Sequence, residues 1–131
     1  MIDAVNVATQ VVAVNNPVLF GATRIKTSCS VRHEQGSGRF VLTKPGIYKV
    51  TFNGTISAAA ATTAILNITQ DGEAIAGARI EVGTGPAPDI ESGSVTTLLR
   101  VFCCDSAVSV TNLGTAALNI SNANLVIDRL C

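Results

Sequence analysis

GIYKVTFNGTIS, Gly46 to Ser57, is the stretch whose reading decides the fold. Tyr48, Val50, Phe52 and Ile56 alternate with Lys49, Thr51, Asn53, Thr55 and Ser57. A period of two sends these sets to opposite faces of an extended strand, so one face is core and the other polar. Downstream, β-rich runs at 64–69 and 74–82 flank Asp71-Gly72, a dipeptide that readily takes the positive φ angles of a type I′ hairpin turn. Three further strands are expected at 94–104, 107–112 and 117–130, separated by Asp105-Ser106 and Gly114-Thr115. Upstream, shorter strands are expected at 10–14, 18–20, 28–33 and 38–42, and loops at 57–61 and 83–88. About ten short strands with no intervening helix predict an all-β, two-sheet antiparallel sandwich or jelly roll.

The chain has 131 residues, 47% of them hydrophobic, enough for one core and one domain over 1–131. Nine basic and nine acidic side chains cancel, and no basic stripe is visible, so nucleic acid and anionic membranes are not expected partners. Apolar stretches are interrupted well before about 18 residues, which speaks against membrane insertion. The start Met1-Ile2-Asp3-Ala4 lacks a positive head followed by an apolar run. The expectation is therefore synthesis and assembly in a cytoplasm.

The catalytic inventory is sparse: one histidine, no tryptophan and no cluster of carboxylates. The chain is expected not to be an enzyme, with no catalytic residues and no cofactor. His33 beside Glu34 reads as an ordinary strand-end residue, because no nucleophile motif accompanies it. Asp71 and Glu73 are explained by the hairpin and lack the several oxygen ligands that calcium requires. Cys29, Cys103, Cys104 and Cys131 have no zinc-site spacing, so no metal is expected and the thiols are read as reduced and packed. Triplets beginning at Asn53, Asn67 and Asn119 match the glycan-acceptor pattern but are read as polar strand faces.

Taken together, GSGRFVLTKPGIYKVTFNGTIS (36–57), ESGSVTTLLRVFCCDSAVSV (91–110), NNPVLF (15–20) and ISNANLVIDRL (120–130) resemble a known jelly-roll family. It contains tumour necrosis factor and the globular head of the first complement component. The shared signature is Phe40, the Pro45-Gly46 turn, then Tyr48 and Phe52. More narrowly, the segments look like versions of this domain in tailed phages, in prophages and in collagen-linked bacterial surface proteins. The chain departs from the complement-type pattern at Cys104, where glycine usually precedes the turn aspartate.

The resemblance implies a homotrimer of ten-stranded jelly rolls. If Val95, Thr97, Leu99 and Val101 face the interior, alternation turns Thr96, Leu98, Arg100 and Phe102 outward. Either further copies of the chain or a loop of the same chain then covers Leu98 and Phe102. The candidate trimer interface is Leu98, Arg100 and Phe102 with Thr51, Asn53 and Thr55. The expected core includes Phe40, Tyr48, Val50, Phe52, Ile56, Leu99 and Val101. The functional expectation is a non-enzymatic phage virion component: a capsid decoration, head fibre or receptor-binding knob. Its partners would be other virion or capsid proteins, reached through the domain surface or a candidate attachment segment at 1–9. The alternative is a bacterial surface or spore-coat module that binds carbohydrate or a host protein through loops such as 21–27 or 83–89.

Overall fold

The computed structural model describes residues 1–27, 29–85, 89–102 and 105–131. Among them there is no helix, and eleven strands form two antiparallel sheets. The strands are β1 (Ile2–Asn6), β2 (Gln10–Val12), β3 (Ala22–Lys26), β4 (Val31–His33), β5 (Phe40–Leu42) and β6 (Gly46–Ser57). They continue as β7 (Thr62–Gln70), β8 (Glu73–Thr84), β9 (Glu91–Val101), β10 (Ser106–Asn112) and β11 (Leu118–Arg129). One sheet runs β3-β1-β11-β6-β9, with β2 also pairing β11; the other runs β4-β5-β10-β7-β8. Their facing sides enclose one apolar core, the arrangement that lets both sheets bury an apolar face.

The central β6 behaves as its alternation requires: Tyr48, Val50, Phe52 and Ile56 are fully buried, while Lys49 and Asn53 are exposed. The Pro45-Gly46 turn that precedes it admits no side chain at Gly46, where φ is 145° and a Cβ would lie 2.2 Å from the Cys131 carbonyl oxygen. On β11, Leu118 and Ile120 are buried at even positions, but Ala123, Leu125 and Ile127 at odd ones. A register shift between Ser121 and Asn124, with φ of 51° at Asn122, returns both halves to the core.

Several expectations are corrected. Residues 18–20 form no strand; the isolated bridge Pro17 to Thr111 lies just before them, yet Val18 and Phe20 are fully buried. Residues 21–27, expected as a recognition loop, contain the edge strand β3. Ile2–Asn6, within the candidate attachment segment, is a strand paired with β11 on one side and β3 on the other, with Ile2 and Ala4 buried. Only 7–9 of that segment stand exposed. Cys29 and Cys131 are free but exposed rather than packed, one in a bend after β3 and one at the chain end. Of the expected 83–89 loop, Gly83 and Thr84 belong to β8, while residues 86–88, like Cys103 and Cys104, lie outside the described residues.

The 71–72 hairpin forms as expected, with Gln70 opposite Glu73 and φ of 52° at Asp71 and 86° at Gly72. The Ala107 amide donates to the Asp71 carboxylate at 2.9 Å, and the Ser106 hydroxyl donates at 2.8 Å. These bonds, the backbone one first, hold the carboxyl below its ordinary range. A lowered folded-state pKa stabilises the fold above the unfolded value of about 4, and that contribution disappears as pH falls through the folded one. Asp71→Asn, which keeps a residue tolerant of positive φ, is therefore expected to be less stable than the parent at pH 7. The difference should shrink as pH falls below about 4, as read by urea unfolding across an acid pH series.

Candidate functional site

The outer face of the six-stranded sheet, opposite the core, gathers the residues singled out in the sequence. Pairing of β6 with β9 sets Thr55 beside Ser92, Asn53 beside Ser94, Thr51 beside Thr96, Lys49 beside Leu98 and Ile47 beside Arg100. The two columns form one surface because β6 and β9 are adjacent and in register. Thr51 and Thr96 share a hydrogen bond at 3.2 Å between their hydroxyls. Leu98 is 59% exposed and Phe102 76% exposed, and the Arg100 guanidinium lies 4.9 Å from the centre of the Phe102 ring. The face is therefore graded: apolar at the Leu98 and Phe102 end, hydroxyl- and amide-rich through Thr51, Asn53, Ser94 and Thr55.

The pattern continues across the sheet. Asn124 stands opposite Asn53 on β11, and Val126 opposite Thr51. Asp3, on the same side of β1, is nearly buried and accepts from the Arg24 guanidinium at 2.8 Å and from the Asn124 amide. Past the Thr55 end, Val7 and Val11 are exposed, and the Asn122 amide donates to the Val7 carbonyl. Sequence reasoning passed over Asp3, Arg24, Asn124 and the two valines. The alternation Ile2, Ala4 against Asp3, Val5 was the available signal for β1; nothing local announces that Arg24 reaches Asp3.

The residues expected in the core are buried: Phe40, Tyr48, Val50, Phe52 and Ile56 completely, Leu99 and Val101 nearly so. Beside them, Phe20 packs edge-on against both Phe40 and Phe52. Asn67, one of the three acceptor triplets, is buried within a register shift between β7 and β8. Its amide donates to the Ile68 and Ile75 carbonyls and accepts from Arg79, so its polar atoms serve the irregular ladder. Asn119 is half-buried and Asn53 exposed. Among the described residues, no group of three or more His, Cys, Asp and Glu side chains is placed to hold a metal.

No protein-family model matches the sequence, and no curated protein matches it. Solved structures match over nearly the whole chain. Murine APRIL superimposes with a TM-score of 0.68 at 13% identity, over 98% of both chains. It folds as a tumour-necrosis-factor-like jelly roll. The globular domain of zebrafish complement 1qA protein matches with a TM-score of 0.58 at 13% identity, over 95% of this chain and 94% of that one. The PRD1 vertex protein P5, a phage protein, matches with a TM-score of 0.59 at 14% identity, over 98% of this chain and 97% of that one. At such identities the likeness establishes the fold, and function rests on what this jelly roll presents at its surface.

Proposed function

We propose that this jelly roll is a non-enzymatic virion structural protein that works as a homotrimer, a capsid decoration, head fibre or receptor-binding knob of a phage. The observation that carries the reading is the graded outer face of the six-stranded sheet. Leu98 and Phe102 leave apolar surface in water beside a column of threonine and asparagine side chains. Burying a large apolar side chain contributes roughly 1.5–3 kcal/mol, and three copies each contribute both residues, so closed association is favourable. The polar column then supplies hydrogen-bonding partners within the contact. The likeness to a phage vertex protein supports the virion setting, with other virion or capsid proteins as partners and assembly following synthesis in the host cytoplasm.

Purified particles from the source virus provide the test. Antibody against this protein is expected to label intact particles, and the protein is expected to co-sediment with them after a high-salt wash. Unlabelled particles would overturn the virion reading. The alternative, a bacterial cell-surface or spore-coat module binding a host-surface glycan or protein, draws support from a polar cleft between β3 and β4, lined by residues that include Lys26, His33 and Ser37. Selective labelling of cell or spore surfaces, without labelling of particles, would favour it.

A further inference from the structure

Strands β3 and β4 are edges of different sheets and lie on the same side of the sandwich, away from β8 and β9. Between them opens a cleft of about 530 Å³ lined by Lys26, Arg32, His33, Glu34, Ser37, Arg39 and Val41. We infer that this cleft binds an anionic saccharide, gripping a sulfate or carboxylate group with Lys26 and Arg39 over a floor made by His33.

The charge balance carries the first part of the argument. The whole chain is neutral, with nine cations and nine anions, yet three cations line this cleft against one carboxylate, Glu34. Arg32 is already engaged, its guanidinium 2.9 Å from the Asp105 carboxylate. Lys26 and Arg39 make no ion pair among the described residues. Arg39 acts on the Asp71 carboxylate only through space, without forming an ion pair, so both heads can still meet an external anion, and a guanidinium presents a planar fork that matches sulfate or carboxylate oxygens.

The second part is rigidity. The His33 ring lies flat on Phe40, 4.1 Å between centres and 5° between planes. Its Nε2 is 2.7 Å from the Ser37 carbonyl oxygen, which only accepts, so Nε2 carries the proton and donates. Nδ1 then faces the Thr23 hydroxyl at 3.4 Å. Strands from both sheets thus fix the floor before any ligand arrives, and pre-organisation lowers the ordering cost of binding. The volume falls within the range of about 300–1,000 Å³ typical of small-ligand sites.

The lining selects the class of anion. Phe40 is fully buried beneath His33, so the cleft offers a nucleobase no Phe, Tyr or Trp face and only the small imidazole of its floor. The polar rim of Ser37 and Glu34 suits the hydroxyls of a sugar. Charged side chains on edge strands also discourage strand addition, but that role needs neither a concavity nor a fixed histidine floor.

His33 is the chain's one histidine, so its ring proton resonance reports on the cleft without ambiguity. Titration of the intact protein with a heparin tetrasaccharide and with an oligogalacturonate is expected to give a saturable shift for at least one, and the two arms separate sulfate from carboxylate. Maltotetraose should give none. Raising salt from about 0.05 M to about 0.5 M should weaken binding several-fold, because exposed charges are then screened within a few ångströms. Lys26→Ala combined with Arg39→Ala is expected to weaken binding at least tenfold, while Lys44→Ala leaves it unchanged. No saturable shift with either saccharide overturns the inference, as does equal binding of a short oligodeoxynucleotide or equal loss in Lys44→Ala. The titration of the unaltered protein decides the matter even where a variant fails to fold. The result is independent of whether the protein is found on particles.

Discussion

Phe20→Ala is expected to destabilise the protein by about 3–5 kcal/mol, against a total for a domain of this kind of about 5–15 kcal/mol. Phe20 belongs to no strand, yet it is fully buried. Its ring meets Phe40 of one sheet at 5.5 Å and 71°, and Phe52 of the other at 6.3 Å and 84°. Both are edge-to-face geometries that add to the burial itself. The chain around it is pinned: the Phe20 amide donates to the Ser37 carbonyl, the Gly36 amide donates to the Phe20 carbonyl, and the Val18 amide donates to Val110. The Gln10 side chain brackets Leu19 with two hydrogen bonds of 2.7 and 2.9 Å. With the backbone held from several sides, the cavity left by alanine cannot collapse, which places the cost towards the upper part of the range. Phe20→Leu, which refills most of the space, should cost about 1–2 kcal/mol. Urea unfolding at one fixed protein concentration reads both effects as a shift in midpoint at constant slope. A loss below about 1 kcal/mol for Phe20→Ala would mean that the ring does not join the two sheets.

The second large effect concerns assembly. Light scattering of the unaltered protein is expected to give three times the 13.4 kDa chain mass. Leu98→Asp and Phe102→Asp are each expected to return it to a single chain mass. Both side chains are mostly exposed within one subunit, so an aspartate there costs the isolated fold little. In a threefold contact the same change brings three carboxylates into one desolvated region, where burying unpaired charge costs several kcal/mol per ion. Asn53→Ala, in the neighbouring polar column, should weaken association without abolishing it, since a hydrogen bond contributes about 1 kcal/mol net. A single-chain mass for the unaltered protein at working concentration would remove the assembly face and the trimeric reading together. Retention of the threefold mass in both aspartate variants would place the contact elsewhere on the sandwich.

The candidate face and the edge cleft differ in how much of each could be read beforehand. Thr51, Asn53 and Thr55 come from one strand, and Leu98, Arg100 and Phe102 from another and its end, so period-two alternation alone assigns each trio to an outward side. That the trios are neighbours follows from the pairing of β6 with β9 across some forty residues, which no local pattern encodes. Lys26, Arg32 and Arg39 sit on three different strands or turns within a chain of zero net charge. Composition made the surface look electrostatically featureless because opposite charges elsewhere cancel the local excess. Strand β3 carried no signal, since it is an edge with most residues exposed and therefore lacks the alternation that one buried face imposes. For the segment at 18–20, burial without a ladder mimicked a strand: Val18 and Phe20 alternate with exposed Leu19, but they fill the sandwich from a loop.

The sequence by itself determined the strands with one buried face and the Asp71-Gly72 turn, because alternation and turn chemistry are local consequences of backbone geometry. Only the tertiary structure decided that β1 lies between β3 and β11, that a bulge at Asn122 reconciles the two halves of β11, and that cations from separate strands converge at one edge. Those choices depend on which distant segments together bury the most apolar surface while pairing their backbone groups, a condition satisfied by the whole chain at once and by no window of it.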